Sequence, residues 1–238
     1  IVRYADIRMQ LEHRTQTMQT FFAGLLTFVF GLGLKVILAN RIGGLWKAIV
    51  GIGFSSISTP LAWLGLAACS LQLYLDFWGY SQMAIGLGKM IGFDLPQNFC
   101  HPYRARSMTQ FWRRWHMTLG AWFRQYVYIP LGGNRAGKWR TYRNLFVVWL
   151  LTGIWHGAGW NFLLWGVFLF ALIAMEKTGP GAWLERTRVM GHVYMMLAIG
   201  VCWLLFSVTD LRQIGVYLQR LVGLGGENVF AGDFLKYT

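Results

Sequence analysis

The residues best suited to chemistry in this 238-residue sequence are two histidines among apolar and aromatic neighbours. His116 occurs in RRWHMTLG, and His156 occurs in LLTGIWHGAGW. Ionisable side chains are costly inside long apolar segments and usually serve a function there. Because burial disfavours the charged imidazole, such a histidine tends to stay neutral and is then a competent general base. The alternative for each is a structural histidine that binds a backbone carbonyl and stabilises a kink.

Other kinds of catalytic centre find little support in the sequence. Two histidines without a neighbouring carboxylate or thiolate offer too few ligands, so we predict no metal site. Cys69, Cys100 and Cys202 are odd in number and widely spaced, which argues against a disulfide framework or a zinc site. The G-x-S-x-G elbow, the Rossmann fingerprint and a full P-loop are all missing, and we expect no bound cofactor.

A second set of polar residues lies in the long apolar run from Leu61 to about Leu87. Asp76 is the only acid in this run, and Tyr80 and Ser81 follow it closely. We predict that these three residues bind substrate in a polar cavity. For Asp76, orienting a histidine, pairing with an arginine and capping a kinked helix all remain open. The other two residues can instead form hydrogen bonds between membrane helices.

The composition indicates a protein whose solvent is largely lipid. Hydrophobic residues make up 55% and charged residues 13%, against about 25% charged residues in soluble domains. The stretch from Met18 to Asn40 is long enough for one membrane crossing, and the glycines between Arg41 and Lys47 predict a turn after it. Further apolar stretches occupy residues 61–87, 145–155, 160–174 and 189–208. We therefore predict a single all-α, membrane-embedded domain over residues 1–238.

One amphipathic helix is predicted from Ser107, which begins a capping signature, to about Ile129. Helical spacing places Trp112 on an aromatic face, Arg113 on the opposite face and His116 at the edge between them. Such a helix is suited to the membrane interface, or to re-entry into the protein interior.

Positive charge is concentrated in the middle of the sequence. There are 22 Lys and Arg against 9 Asp and Glu, and no acid occurs between Asp94 and Glu176. In an apolar chain this imbalance indicates cytoplasmic loops and anionic partners, either lipid headgroups or a phosphorylated ligand. We predict that Arg113, Arg114 and Arg124 bind the phosphates of a nucleotide-like acyl carrier, with a solvated or lipid-facing surface as the alternative. Nucleic acid is not an expected partner, because the basic residues alternate with membrane-length apolar runs.

Four segments resemble the membrane-bound O-acyltransferase (MBOAT) family, in its bacterial alginate O-acetylation branch. They are IVRYADIRMQL, LYLDFWGYSQMAIGLGKMIGFDLPQNF, PYRARSMTQFWRRWHMTLGAWFRQYVYIPLGGNR and NLFVVWLLTGIWHGAGWNFLLWG. Family members are longer, so the chain resembles their central part. The resemblance implies a multi-span helical integral membrane protein, with interfacial or re-entrant amphipathic helices around a transmembrane tunnel.

The resemblance also implies an enzyme, an O-acyltransferase of the bacterial inner membrane. It would transfer an acetyl or similar short acyl group from a cytoplasmic thioester, acetyl-CoA or an acyl carrier protein. The acceptor would be a hydroxyl of an extracytoplasmic polysaccharide, or of a secreted or membrane-anchored relay protein. His156 matches the family's catalytic histidine and is the predicted general base. His116 matches the second signature histidine and is predicted to position or polarise the donor carbonyl or the acceptor, while Trp112 and Trp155 are predicted to contribute to substrate binding.

A membrane transporter or scaffold is the alternative function. Polar residues around a tunnel serve equally well to pass an acyl group or a polymer while the chemistry occurs elsewhere. The two functions differ in whether the purified protein alone transfers acyl groups, and in whether position 156 requires an imidazole or only a polar side chain.

Overall fold

The computed structural model describes residues 1–135, 137–224 and 233–237, and these residues form helices, turns and loops without a strand. The predicted all-α class is therefore confirmed. The helices are α1 (Tyr4–Glu12), α2 (Met18–Gly33), α3 (Asn40–Ile52), α4 (Thr59–Met90), α5 (Met108–Trp112), α6 (Met117–Phe123), α7 (Lys138–His156), α8 (Trp160–Glu176), α9 (Gly179–Arg186), α10 (Arg188–Ser207) and α11 (Leu211–Leu221).

Among the residues that the structure describes, three helical segments are long and apolar enough to cross a membrane. They are Met18–Ile52, Thr59–Met90 and Arg188–Ser207, and α8 is a shorter apolar helix. The first segment leaves large apolar side chains uncovered, among them Leu26, which is 71% exposed. An apolar surface of this kind is stable in lipid, where helices also satisfy their own backbone hydrogen bonds.

Helices α2 and α3 form one continuous helix, so the turn predicted between Arg41 and Lys47 is wrong. A π-helical segment, Leu34–Ala39, joins the two without a break. A helix keeps its backbone groups hydrogen-bonded, whereas a turn in an apolar surrounding would leave several of them unsatisfied. The glycines at 43 and 44 are accommodated inside the helix for the same reason.

Glycines bring α2 and α4 into close contact. Gly24 faces Gly86, and Gly31 faces Gly79; a Cβ added to Gly31 would lie 2.5 Å from the carbonyl oxygen of Gly79. Small residues at such an interface allow helix backbones in membranes to approach closely. This contact determines where α4, which carries Asp76, lies relative to α2.

The core beside the chemistry-bearing residues is mainly aromatic. Trp165 of α8 and Trp203 of α10 are almost completely buried, and Phe111 and Trp115 pack between them and α4. The Trp115 and Trp203 ring centroids are 4.6 Å apart. A second cluster, which includes the buried Tyr217, holds α11 against α3 and α4.

Capping residues and glycines set several helix boundaries. The Ser58 side chain caps α4 by accepting a hydrogen bond from the Leu61 amide, and Asp210 caps α11 through the Arg212 amide. Helix α11 ends before Gly223, whose φ is +75°. The glycine-rich break after His156 separates two helices, α7 and α8, and is not a kink in one.

The single helix predicted from Ser107 to Ile129 is interrupted and is in this respect wrong. Helix α5 ends at Trp112, and His116 adopts a left-handed backbone (φ 46°, ψ 52°) before α6 begins. Residues 124–128 then continue as a π-helical segment. The left-handed residue is stabilised by contacts from another loop, described below, and hydrophobic periodicity carries no signal for such contacts.

Substituting Gly31 with alanine should destabilise the protein by about 1–3 kcal/mol, because the new methyl group overlaps the α4 backbone. Thermal unfolding of the purified protein in detergent measures the effect. Gly33→Ala is the matched control, since a Cβ there meets nothing within 4 Å. Equal unfolding temperatures for the two variants would contradict the close packing of α2 on α4.

Candidate functional site

A cavity of about 950 Å³ brings the two histidines together. Its wall is formed by α4, the segment from α5 through α6 to Tyr128, α7 and α8, with Lys35 from the π-helical segment Leu34–Ala39 and two side chains from the end of α10. Aromatic side chains form a large part of the wall, with contributions from Phe77, Trp112, Trp115, Trp149, Trp165, Trp203 and Phe206. Polar and charged side chains line the rest of it together with aliphatic ones, and they determine which polar groups of a ligand the cavity can bind.

His116 is oriented by Asn98, a loop residue. The His116 Nδ1 and Asn98 Oδ1 atoms are 3.0 Å apart, and the Thr118 amide and hydroxyl donate to the same oxygen at 3.3 and 3.0 Å. The Asn98 Nδ2 group donates to the Ser81 hydroxyl at 3.0 Å. Because a backbone N–H bonds only to an acceptor, the side-chain oxygen of Asn98 faces His116. The His116 proton therefore resides on Nδ1, and Nε2 is the nitrogen left for the cavity.

His116 lies outside the three candidate spans and is 7% exposed. Burial lowers the pKa of its imidazole from 6.5 to about 3, and His156 acts in the same direction. The ring is therefore neutral at pH 7. Phe77 packs edge-on against it, with the ring centroids 4.7 Å apart. A neutral His116 with its proton on Nδ1 presents a hydrogen-bond acceptor to the cavity.

His156 is the last residue of α7 and lies in an aromatic box. Its ring centroid is 4.8 Å from that of Trp155, 5.0 Å from Trp165 and 5.1 Å from Phe206, all approached edge-on. The Trp155 ring also lies 6.2 Å from His116. Within the described part of the chain, no hydrogen bond holds either His156 nitrogen, so both are available to a ligand or to another group in the cavity.

Asp76 pairs with Lys35, a partner that the sequence analysis did not consider. The Lys35 ammonium contacts the Asp76 carboxylate, and both side chains line the cavity. The sequence left orienting a histidine, pairing with an arginine and capping a kinked helix open for Asp76; in the structure its partner is a lysine, because the π-helical segment Leu34–Ala39 of the first span lies opposite α4. Tyr80 also lines the cavity, as predicted.

Three predicted substrate-binding residues lie off the described cavity wall. Ser81 is buried behind Asn98, whose side chain it supports. The Arg114 carbonyl accepts a hydrogen bond from the Cys100 amide at 2.9 Å, which ties the segment between α5 and α6 to the preceding loop. Trp155 is half-exposed and covers the two histidines.

The charged part of the wall is predominantly positive. Arg113 and Arg124 line the cavity, as does Lys177, which the sequence analysis missed. With the Lys35–Asp76 pair, four cations face one carboxylate. Among the described residues, no group of three or more His, Cys, Asp or Glu side chains is arranged to hold a metal ion. The charge of the cavity favours an anionic ligand.

Glu176 and Asn98 are the positioning residues that sequence reasoning missed. The Glu176 carboxylate accepts hydrogen bonds from the backbone amides of Met108 and Thr109, the second at 2.9 Å, and from the Tyr194 hydroxyl at 3.0 Å. It thereby caps α5, the helix that carries Trp112. A signal existed, since Glu176 is a lone acid at the end of an apolar run, as Asp76 is within another.

Comparisons with known proteins agree on one family. The sequence profile of the membrane-bound O-acyltransferase family (MBOAT) matches residues 12–216. A probable alginate O-acetylase AlgI of Azotobacter vinelandii is 42% identical over 212 residues, covering 89% of this chain and 42% of that protein. The Pseudomonas aeruginosa protein of the same name is 40% identical over 226 residues, covering 94% and 43%. A peptidoglycan O-acetyltransferase of Helicobacter pylori is 35% identical over 236 residues, covering 95% and 44%. The chain thus spans less than half the length of these relatives.

Substituting Glu176 with alanine should destabilise the protein by about 1–3 kcal/mol, because two backbone amides at the start of α5 lose their acceptor. Thermal unfolding in detergent measures this loss. Glu12→Ala is the control, since it removes the same charge from an exposed site at the end of α1. If the two variants unfold at the same temperature, Glu176 does not hold α5.

Proposed function

We propose that the chain, which belongs to the membrane-bound O-acyltransferase family, carries the site of acyl transfer from a thioester to a hydroxyl group. In this reaction the hydroxyl oxygen attacks the thioester carbonyl and an ester bond forms. The carbon–sulfur bond breaks, and the hydroxyl proton is transferred to the departing thiolate. The transferred group is acetyl or a similar short acyl chain.

One observation carries this proposal: two histidines share a single aromatic cavity. His156, the predicted general base, has unpartnered ring nitrogens and takes the proton from the hydroxyl, then returns it to the thiolate. In this proposal the aromatic rings packed around His156 reduce the water at the reacting groups, which would otherwise compete with the hydroxyl for the acyl group. His116 is neutral, its Nδ1 is hydrogen-bonded to Asn98, and in this proposal it assists the base by positioning the donor or the acceptor.

The donor in this proposal is a phosphorylated thioester, acetyl-CoA or an acyl carrier protein, supplied from the cytoplasm. The support is the net positive wall, where Arg113, Arg124 and Lys177 are arranged around one cavity. Cationic side chains in a cleft of low dielectric attract phosphates strongly. Arg114 was predicted for the same role but lies off this wall.

The proposed acceptor is a hydroxyl of an extracytoplasmic polysaccharide, or of a secreted or membrane-anchored relay protein. The names of the relatives support a cell-envelope acceptor, since they refer to alginate and peptidoglycan. A multi-pass location in a bacterial inner membrane suits both the three apolar spans and a donor and acceptor that lie on opposite sides.

Replacing His156 with alanine should abolish acyl transfer, with a loss of at least about 100-fold, because the hydroxyl loses its proton acceptor. The measurement is transfer of radiolabelled acetyl from acetyl-CoA, supplied on one side of proteoliposomes that contain the intact protein. His192→Ala is the control, since His192 lies on α10 off the cavity and bonds the Arg188 carbonyl. Its transfer rate should stay within about twofold.

The same assay separates an enzyme from a transporter. A transporter would show no transfer by the purified protein and would tolerate His156→Gln, which keeps the position polar. Undiminished transfer by His156→Ala, in protein that inserts normally, would refute His156 as the base.

Replacing Arg124 or Lys177 with glutamine should raise the KM for acetyl-CoA about 5- to 10-fold, because each removes about 1–1.5 kcal/mol of attraction to phosphate. A short thioester without phosphates is the matched substrate, and its KM should not change. Arg140→Gln provides a control at an exposed site on α7, away from the cavity. Equal effects on both thioesters would show that these cations do not bind the donor's phosphates.

A further inference from the structure

We propose that Asn98, His116 and His156 form a hydrogen-bonded relay, in which His116 acts on His156 and not on the substrate. This inference rests on the proposed acyl transfer and assigns its second histidine a specific role. Asn98 and His116 are then positioning residues, and His156 remains the residue that touches the hydroxyl.

The first half of the relay is present in the structure. Asn98 Oδ1 receives three donors, the His116 Nδ1–H and the amide and hydroxyl of Thr118. The Thr118 amide settles which way the Asn98 side chain points, and the Asn98 oxygen settles which nitrogen of His116 carries the proton. His116 therefore offers one lone pair, on Nε2, to the cavity that it lines.

A lone pair on Nε2 cannot polarise a carbonyl. A thioester carbonyl in the cavity needs a hydrogen-bond donor, and neutral His116 has none to give on that side. Of the two roles predicted for His116, polarising the donor carbonyl is therefore inconsistent with its hydrogen bonding. The Nε2 atom requires an N–H or O–H partner.

His156 is one of the groups lining the cavity that can meet this requirement. Both histidines line the same cavity and contact the Trp155 ring. No hydrogen bond among the described residues occupies its ring nitrogens. One His156 N–H can donate to Nε2, directly or through one water molecule, which leaves the other nitrogen free to take the hydroxyl proton.

The relay gives His156 what a catalytic base needs. A base works best when a third group holds its ring and fixes its tautomer. When His156 takes the hydroxyl proton it becomes an imidazolium in an apolar box, and the hydrogen bond to Nε2 stabilises that charge. The proton then passes to the thiolate, so the relay returns to its starting state and no proton is gained or lost.

Other charged groups face the same network and must be held constant in a test. They are the Lys35–Asp76 pair, Arg113, Arg124 and Lys177 on the cavity wall. All of them are identical in the variants compared below, so a change in the pH profile reports the relay.

The test compares Asn98→Asp with Asn98→Leu. Aspartate keeps the acceptor and adds a negative charge behind His116, which favours protonation along the relay. In the pH profile of kcat/KM for acyl transfer, activity falls at low pH as the base becomes protonated. The midpoint of this fall, the acid limb, should therefore shift to a higher pH by about one unit. Leucine removes the acceptor, and kcat should fall about 10- to 100-fold with the KM values for donor and acceptor unchanged.

Asn144→Asp is the matched control. Asn144 is also a buried asparagine, whose amide group binds the carbonyl oxygens of Leu131 and Gly133. It precedes His156 by 12 residues of α7, about 18 Å along the helix. The acid limb of this variant should coincide with that of the wild type.

The outcomes separate the relay from the proposed function. An inactive wild-type protein overturns acyl transfer, and the relay with it. An active wild type with an unmoved acid limb in Asn98→Asp overturns the relay and leaves acyl transfer standing. If Asn98→Leu fails to fold, the pH profile of Asn98→Asp still tests the relay, because aspartate has the same shape as asparagine and retains the acceptor oxygen. An increase in the acceptor's KM alone would mean that His116 binds the substrate instead.

Discussion

The hydrogen bond between His116 and Asn98 is the constraint around which the site is arranged. A buried imidazole needs a partner for its N–H, and an apolar surrounding makes an unmet donor costly. To reach Asn98, His116 takes a left-handed backbone conformation that costs about 1–3 kcal/mol in a non-glycine residue. The three hydrogen bonds on the Asn98 oxygen offset that cost, and they also hold the loop after α4 against the start of α6.

The break after α5 follows from the same hydrogen bond. An unbroken helix would have carried His116 along its aromatic edge, whereas the left-handed turn directs it toward Asn98. Glu176 holds the other end of α5 by capping its first amides. Polar groups from other parts of the chain thus fix both ends of α5, the short helix that carries Trp112. The aromatic side chains of the core pack against this helix between its two ends.

The long helices could be predicted from the sequence because their causes are local. Apolar runs of membrane length, a serine at position 58 before a proline, and Asp210 ahead of an amphipathic run each act through neighbouring residues. The turn after Asn40 was predicted wrongly, because glycine breaks helices mainly where water can satisfy the freed backbone groups. In an apolar surrounding the helix persists. Its π-helical segment Leu34–Ala39 places Lys35 next to Asp76, which lies 41 residues further along the chain.

The sequence by itself determined that this is a helical membrane protein with two histidines in apolar surroundings, since composition and spacing are properties of the chain alone. It also led to the acyltransferase family, through segments that contain both histidines. Only the tertiary structure decided that the histidines share one cavity, that Asn98 selects the His116 tautomer, and that Lys35 forms an ion pair with Asp76. Each of these depends on contacts between residues far apart in the chain, and a buried polar group shows its partner only after the helices have packed.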